Sequence, residues 1–311
     1  MKTETFFLQM NDSTELYVKK WCSETVTPIA IVQIAHGMAE HIERYDELAE
    51  FLVNKNIFVY GHDHRGHGQT VRDGMVKGYF TNHNGFEIVV DDMKYITDFI
   101  QEQHRDVPIF LLGHSMGSFI VRRYIQKHEA QELAGVILSG TAGNPGILGI
   151  LGRWLAKRES SKKGATTESP LMNTLTFGAY NKKIKQARTE FDWLSTDQKE
   201  VDAYIEDPHC GGVFTAGFFH DLLTGIKTIH KSENIKRTPQ SLPILLVAGK
   251  EDPVGGFSKS VLAVYQSYKQ AGIQDVTNKI YPGMRHELFK EIERQQVFDD
   301  VYTWIKDKLQ V

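Results

Sequence analysis

The chain has little cysteine: Cys22 and Cys210 are the two in 311 residues. So few thiols exclude a disulfide scaffold, and their separation fits no metal-ligand spacing, so both are expected to be buried in a reducing compartment. Charge of one sign is also lacking. Lys and Arg number 36 against 39 Asp and Glu, a net charge of −3, and a dedicated nucleic-acid binder would show a basic excess. Long apolar runs are absent. "IAIVQIA" at Ile29–Ala35 falls well short of the roughly 18–20 residues a bilayer helix needs. The first fifteen residues hold three consecutive apolar positions, too short for the apolar region of an export signal. A soluble, cytoplasmic protein is expected. Glycine (26) and proline (9) are close to average usage, which excludes collagen-like and low-complexity chains. The length suits two units, or one large α/β domain carrying an insertion.

What is present is an alternation of short β-rich runs with helical periodicity. Thr5–Gln9 and Glu15–Trp21 flank the turn-forming Asn11, Asp12 and Ser13, which predicts an opening antiparallel hairpin. Ile29–Ala35, Ile57–Tyr60, Pro108–Gly113, the run ending at Gly140, the run from Pro243 and Asp275–Tyr281 read as strands. Helical faces lie between them, at Ile42–Leu52, Phe86–Ile100, Phe119–Ile125, Ser260–Gln270 and Val297–Ile305. Alternating βα units predict an α/β fold, an open parallel sheet with helices on both faces. The pattern lapses for about a hundred residues after Gly140, so residues 1–142 and 241–311 are expected to form the core and 143–240 an inserted helical cap.

The sharpest local signal is Gly113-His114-Ser115-Met116-Gly117, which follows the apolar run "PIFLLG" and opens an amphipathic helix. A sharp strand-to-helix turn of this kind exposes a serine hydroxyl at the carboxyl edge of a sheet, and Gly113 and Gly117 let the backbones pass closely. A serine needs a base, and the base an orienting acid. In this architecture both should follow, each just past a later strand. Asp252 follows the run "PILLVAG", and His286 follows the strand ending near Tyr281. Glu251 is the rival acid. The oxyanion formed at the carbonyl calls for two backbone N–H donors. Met116, first in the helix, is one candidate. Met38, in the loop His36-Gly37-Met38-Ala39-Glu40-His41, is the other, with Gly37 turning the amide inward. The run "GHDHRGHG" offers His62, Asp63, His64 and His67 as metal-like ligands, but no second cluster completes such a site, so no catalytic metal and no cofactor is expected. Arg65 and the histidines of this run are read instead as hydrogen-bonding beneath the oxyanion turn.

"HGMAEHIERY", "DHRGHGQT", "GHSMG", "GKEDPV" and "MRHE" together resemble the α/β-hydrolase superfamily, in its monoacylglycerol lipase and lysophospholipase-like (serine aminopeptidase-type) branch. The resemblance runs over nearly the whole chain. It implies a mostly parallel eight-stranded sheet, a Ser115–Asp252–His286 triad, an oxyanion hole from the Met38 and Met116 amides, and a mobile cap after the sixth strand. It also implies that Glu40 and Arg44 brace the oxyanion loop. Ser118, where relatives often carry Gly, and Gln69-Thr70 depart from the pattern. The expected reaction is serine-mediated hydrolysis of a single-chain acyl ester, a small-molecule substrate, through an acyl-enzyme. Aminopeptidase, amidase or acyl-transfer chemistry on the same triad stays open, as does a non-catalytic ligand-binding role. An aminopeptidase would need acidic cap residues, and Glu190, Asp192, Glu206, Asp207 and Asp221 are available, although a solvated cap would turn them to water.

The first half of the cap is basic. From Gly143 to Glu190 there are 9 Lys and Arg against 3 Asp and Glu, behind an apolar group of Ile147, Leu148, Ile150, Leu151, Trp154 and Leu155. Two readings stay open. An amphipathic basic helix can rest on an anionic lipid surface, or its apolar face can pack on the body. Ser195 and Gln198 look like a capping box for the helix through Val201 and Ile205. Phe214, Phe218, Phe219, Leu222 and Leu223 are expected to join cap to body.

Overall fold

Strands β1 (Lys2–Gln9) and β2 (Glu15–Cys22) pair antiparallel, and β2 pairs antiparallel with β4 (Ile57–His62). From there the sheet is parallel: β4, β3 (Ala30–Ala35), β5 (Ile109–His114), β6 (Leu133–Ser139), β7 (Ile244–Gly249) and β8 (Val276–Tyr281). The structure, a computed structural model, describes residues 1–72, 74–128 and 130–309. The expected eight-stranded α/β-hydrolase sheet is therefore present, in the order β1-β2-β4-β3-β5-β6-β7-β8.

Successive strand residues point to opposite faces, and each face buries its own core. Ile109 and Leu111 join one apolar cluster while Phe110 and Leu112 join the other. Helices α2 (Gly85–Gln103), α3 (Met116–Lys127) and α9 (Lys259–Gln270) cover the first face. Helices α1 (Asp46–Val53) and α10 (Arg294–Lys308) cover the second, with Trp21, Phe298 and Trp304 in its core. The helix expected from Ile42 opens as a 3-10 turn, Ile42–Tyr45, before α1 begins.

Between β6 and β7 lie α4 (Gly146–Lys163), α5 (Pro170–Phe177), α6 (Gln198–Glu206), α7 (Ala216–Ile229) and the short α8 (Ser232–Ile235). Phe214, Phe218, Phe219 and Leu222 are buried in the first-face core with Phe80 and Phe86, so this stretch joins insertion to body as expected. Two details differ from the sequence reading. The N-cap of α6 is Asp197, whose carboxylate accepts from the Lys199 N–H at 3.0 Å. Ser195 Oγ instead accepts from the Asp197 N–H and donates to the Lys290 carbonyl. In α4 the apolar and basic residues separate along the axis, apolar first and basic last, rather than around it. Ala156 is its one buried side chain, whereas Ile147 and Leu148 are 82% and 78% exposed and Ile150, Leu151 and Trp154 also face out.

Candidate active site

Ser115 sits between β5 and α3 with φ 50° and ψ −117°, a conformation that L-residues avoid and that a sharp turn imposes. The turn is held by the Ser115 N–H donating to the Ser139 carbonyl at 2.9 Å, and by Ser118 Oγ donating to the Ser115 carbonyl at 2.6 Å. Ser118, a departure from the family pattern, thus tightens the turn. The flanking glycines are required by contact. A Cβ on Gly117 would lie 2.0 Å from the Ala35 carbonyl oxygen, and one on Gly113 would lie 2.5 Å from the Gly117 carbonyl oxygen. Gly117→Ala should therefore push α3 off the end of β3, costing roughly 3 kcal/mol or more. Chemical denaturation would show the loss, and a wild-type midpoint would contradict this packing.

Asp252 and His286 lie past the ends of β7 and β8, and both are buried. The His286 Nδ1–H donates to Asp252 Oδ2 at 3.0 Å, and Asp252 Oδ1 accepts from the Val254 N–H at 2.8 Å. Glu251, the rival acid, is exposed. Burial pushes the His286 imidazole down, but Asp252, by charge and hydrogen bond, and then Glu287 and Glu40 lift it above its ordinary value. The His286 ring packs 4.7 Å from that of His114, the residue preceding Ser115, and 5.2 Å from Trp193. No hydrogen bond joins the Ser115 hydroxyl to His286 in this structure. Such bonds are commonly long without substrate and tighten in the complex.

The candidate donors come from the start of α3 and from the loop after β3. Met116 is the first residue of α3, so its N–H has no acceptor within the helix. Met38 is half-buried against the first-face core, and Ala39 beyond it has φ 61°. A Cβ on Gly37 would lie 3.2 Å from Ser115 Cβ, which places this loop directly against the nucleophile turn. Glu40 holds it from below: its Oε1 accepts from the Gly37 N–H at 2.5 Å and the Tyr45 hydroxyl at 2.9 Å. Arg44 donates to Glu40 Oε2 at 3.0 Å and, in a two-pronged contact, to Glu287 at 2.5 and 2.7 Å. Burial pushes the Glu287 carboxyl up, and Arg44 outweighs it and holds it below the usual range. Burial lifts Glu40 above that range despite Arg44. The sequence reading assigned Glu40 and Arg44 but gave no role to Glu287. Glu287 stands next to His286, so one guanidinium ties the loop after β3 to the histidine loop.

Comparison with known proteins places the chain in a family. A family model described as "Serine aminopeptidase, S33" matches residues 26–293. The chain belongs to that family. It is 30% identical over 306 residues to the monoglyceride lipase of Mus musculus, covering 96% of this chain and 89% of that one. It is 30% identical over 292 residues to the monoacylglycerol lipase of Mycolicibacterium smegmatis, with 93% and 92% covered. Among solved structures, a thermostable carboxyl esterase from Bacillus coagulans, determined with glycerol, superposes with a TM-score of 0.91 at 28% identity over 99% of both chains. The chain is a carboxylic ester hydrolase with the α/β-hydrolase fold.

Beneath the loop after β3 of this hydrolase lies a knot of buried histidines. His36 Nδ1–H donates to the Gly37 carbonyl, so its Nε2 accepts from the His64 N–H at 3.0 Å. His64 Nε2 in turn donates to the His36 carbonyl, leaving Nδ1 to accept from His62 Nε2–H at 3.1 Å. Arg65 pairs with Asp92 and Asp12, and Asp63 accepts from the Ile42 and Gln69 N–H groups. The sequence reading of this run as a hydrogen-bonded support matches these contacts. Burial drives His62 down to about 3 and His67 to about 4, and holds His36 and His64 well below their ordinary value.

These histidines bear on acid stability. Below the unfolded value near 6.5 the unfolded chain takes up their protons and the folded chain does not, so stability falls with pH. Asp63, lifted by burial to about 6, works the other way and offsets one of the four. Each histidine left over removes about 1.4 kcal/mol per pH unit. The denaturation midpoint should fall steeply from pH 6.5 to 4.5. A flat profile there would show that the cluster is protonated in the folded state.

Proposed function

We propose that the protein is a serine carboxylester hydrolase that cleaves single-chain acyl esters, of the monoacylglycerol or lysophospholipid type, through an acyl-enzyme. The observation that carries this reading is the buried His286–Asp252 hydrogen bond beside the strained Ser115 turn. In the mechanism, Ser115 Oγ attacks the ester carbonyl while His286 Nε2 takes its proton. Asp252 keeps the other nitrogen protonated, orients the ring and stabilises the imidazolium. The tetrahedral oxyanion is met by the Met38 and Met116 N–H groups. His286 then gives its proton to the departing glycerol oxygen, and water repeats the sequence to release the fatty acid.

The names of the relatives favour an acylglycerol, and the disposition of the cap acids favours an ester over an N-terminal peptide. Asp192 accepts from the Arg188 N–H and from Thr189, Asp207 is bonded to His41, and Asp221 accepts from the Gly85 N–H. The sequence reading turned these acids to water; Asp192, Asp207 and Asp221 instead each have a partner within the protein, while Glu190 and Glu206 are exposed as expected.

Residues 143–240 act in this reading as the cap that admits substrate. The outward apolar group at the start of α4, with Leu171 and Leu175 of α5 also exposed, and Arg158, Lys162 and Lys163 at its basic end, would lay the cap on an anionic lipid surface. No helix among the described residues is long and apolar enough to cross a membrane. The test is a turnover panel of monoacylglycerols, lysophospholipids and aminoacyl amides, with and without phosphatidylglycerol vesicles. Monoacylglycerol or lysophospholipid should be the preferred class, with turnover raised by vesicles. Preference for the amides would overturn the reading.

A further inference from the structure

We propose that His41, Asp207 and Cys210 form a site for a borderline-soft divalent cation such as Zn²⁺, at the seam between the oxyanion loop and the cap. Sequence spacing hides it, since His41 and Asp207 are 166 positions apart. Among the described residues, this is the group of His, Cys, Asp or Glu whose ligand atoms gather closely enough, all within 4.8 Å of one another. His41 Nε2 already lies 2.8 Å from Asp207 Oδ2. Around tetrahedral zinc, nitrogen, oxygen and sulfur ligands stand roughly 3.3–3.8 Å apart, so the three side chains need to adjust by about 1 Å or less. The mixed set of imidazole, carboxylate and thiolate suits zinc or cobalt rather than calcium or magnesium.

A second observation singles out the histidine. His41 is 5% exposed and its Nδ1 has no hydrogen-bond partner among the described residues, so no bond of the protein at Nδ1 fixes the tautomer, and the ring proton can pass to Nδ1 and leave the Nε2 lone pair to a cation. Access is open on the other side, where Asp207 is half-exposed and the exposed His209 ring lies 5.6 Å from that of His41. His209 or water completes the fourth position. The turn carrying the cap ligands is fixed to the core: the Gly211 N–H and the Tyr204 hydroxyl both donate to the Ala39 carbonyl at 2.9 Å. Binding exchanges the His41–Asp207 hydrogen bond for two metal–ligand bonds and shifts the imidazole proton to Nδ1. The Cys210 thiol proton goes to solvent, one proton per ion. The cation would rivet the cap to the loop that carries Met38.

Cobalt reports this directly, through a thiolate-to-metal charge-transfer band in the near ultraviolet, and the reading does not depend on hydrolytic activity. Co²⁺ titrated into the full chain should give the band with one equivalent bound, and Zn²⁺ should abolish it and raise the melting temperature. Cys210→Ser should lose the band, Asp207→Asn should weaken binding at least tenfold, and Cys22→Ser should keep it. The proposal fails if the wild type shows no band, if the band follows Cys22, or if Asp207→Asn binds like the wild type. Should Cys210→Ser not fold, the Asp207→Asn titration decides.

Discussion

Ser115→Ala should lower turnover of a p-nitrophenyl ester by roughly 10⁴- to 10⁶-fold, because members of a nucleophile–base–acid set act as a unit. The fold should survive, since the hydroxyl has no hydrogen-bond partner among the described residues and the strained turn is held by backbone contacts and by Ser118. The same variant should escape labelling by a fluorophosphonate, which forms its bond with an activated serine. Labelling at the wild-type rate would place the nucleophile elsewhere. In the wild type, the acid limb of kcat/KM should lie above pH 6.5. The base must be neutral, and Asp252, Glu287 and Glu40 lift His286 above its ordinary value against the opposing effect of burial. Activity is then lost as pH falls through that raised value, before the support histidines begin to unfold the protein.

Arg44→Ala should cost about 3–5 kcal/mol of stability, since removing one member of a buried ion set leaves the rest uncompensated. Here two carboxylates, Glu40 and Glu287, would be left facing each other in a buried site. The loss should not stop at stability. Without the guanidinium, Glu40 has less reason to stay ionised and accept the Gly37 N–H, so the oxyanion loop should drift and kcat should fall more than KM rises. Replacing both acids as well, in Glu40→Gln/Arg44→Met/Glu287→Gln, should recover much of the stability but not the turnover. Equal recovery of both would show that the three residues serve packing alone.

Why some of this was legible in the sequence and some was not follows from the fold. Strands β3, β5 and β7 are buried on both faces, so they read as continuous apolar runs and stood out. Once the strands were placed, parallel βα topology set where a nucleophile, an acid and a base should stand, and Ser115, Asp252 and His286 are found at those strand ends. The Arg44–Glu287 contact spans 243 positions and has no local signature. His41 and Cys210 come close only because the turn after α6 folds back onto the loop after β3. In α4 the residue types were read correctly, but their distribution around the axis depends on where α7 lies, and the apolar group turned outward. Asp197 outcompeted Ser195 as the cap of α6 because Ser195 is drawn to the Lys290 carbonyl, a contact made across 95 positions.

The backbone of the histidine loop is hydrogen-bonded to the inserted segment: the His286 and Glu287 N–H groups donate to the carbonyls of Trp193 and Leu194 at 3.4 and 2.7 Å, and Arg285 donates to those of Asp192 and Ser195. Residues 143–240 are therefore not an interchangeable cassette. A chimaera that imports a relative's insertion would also replace half of the clamp on the His286 loop. Exchanges confined to 143–185 would leave that clamp intact.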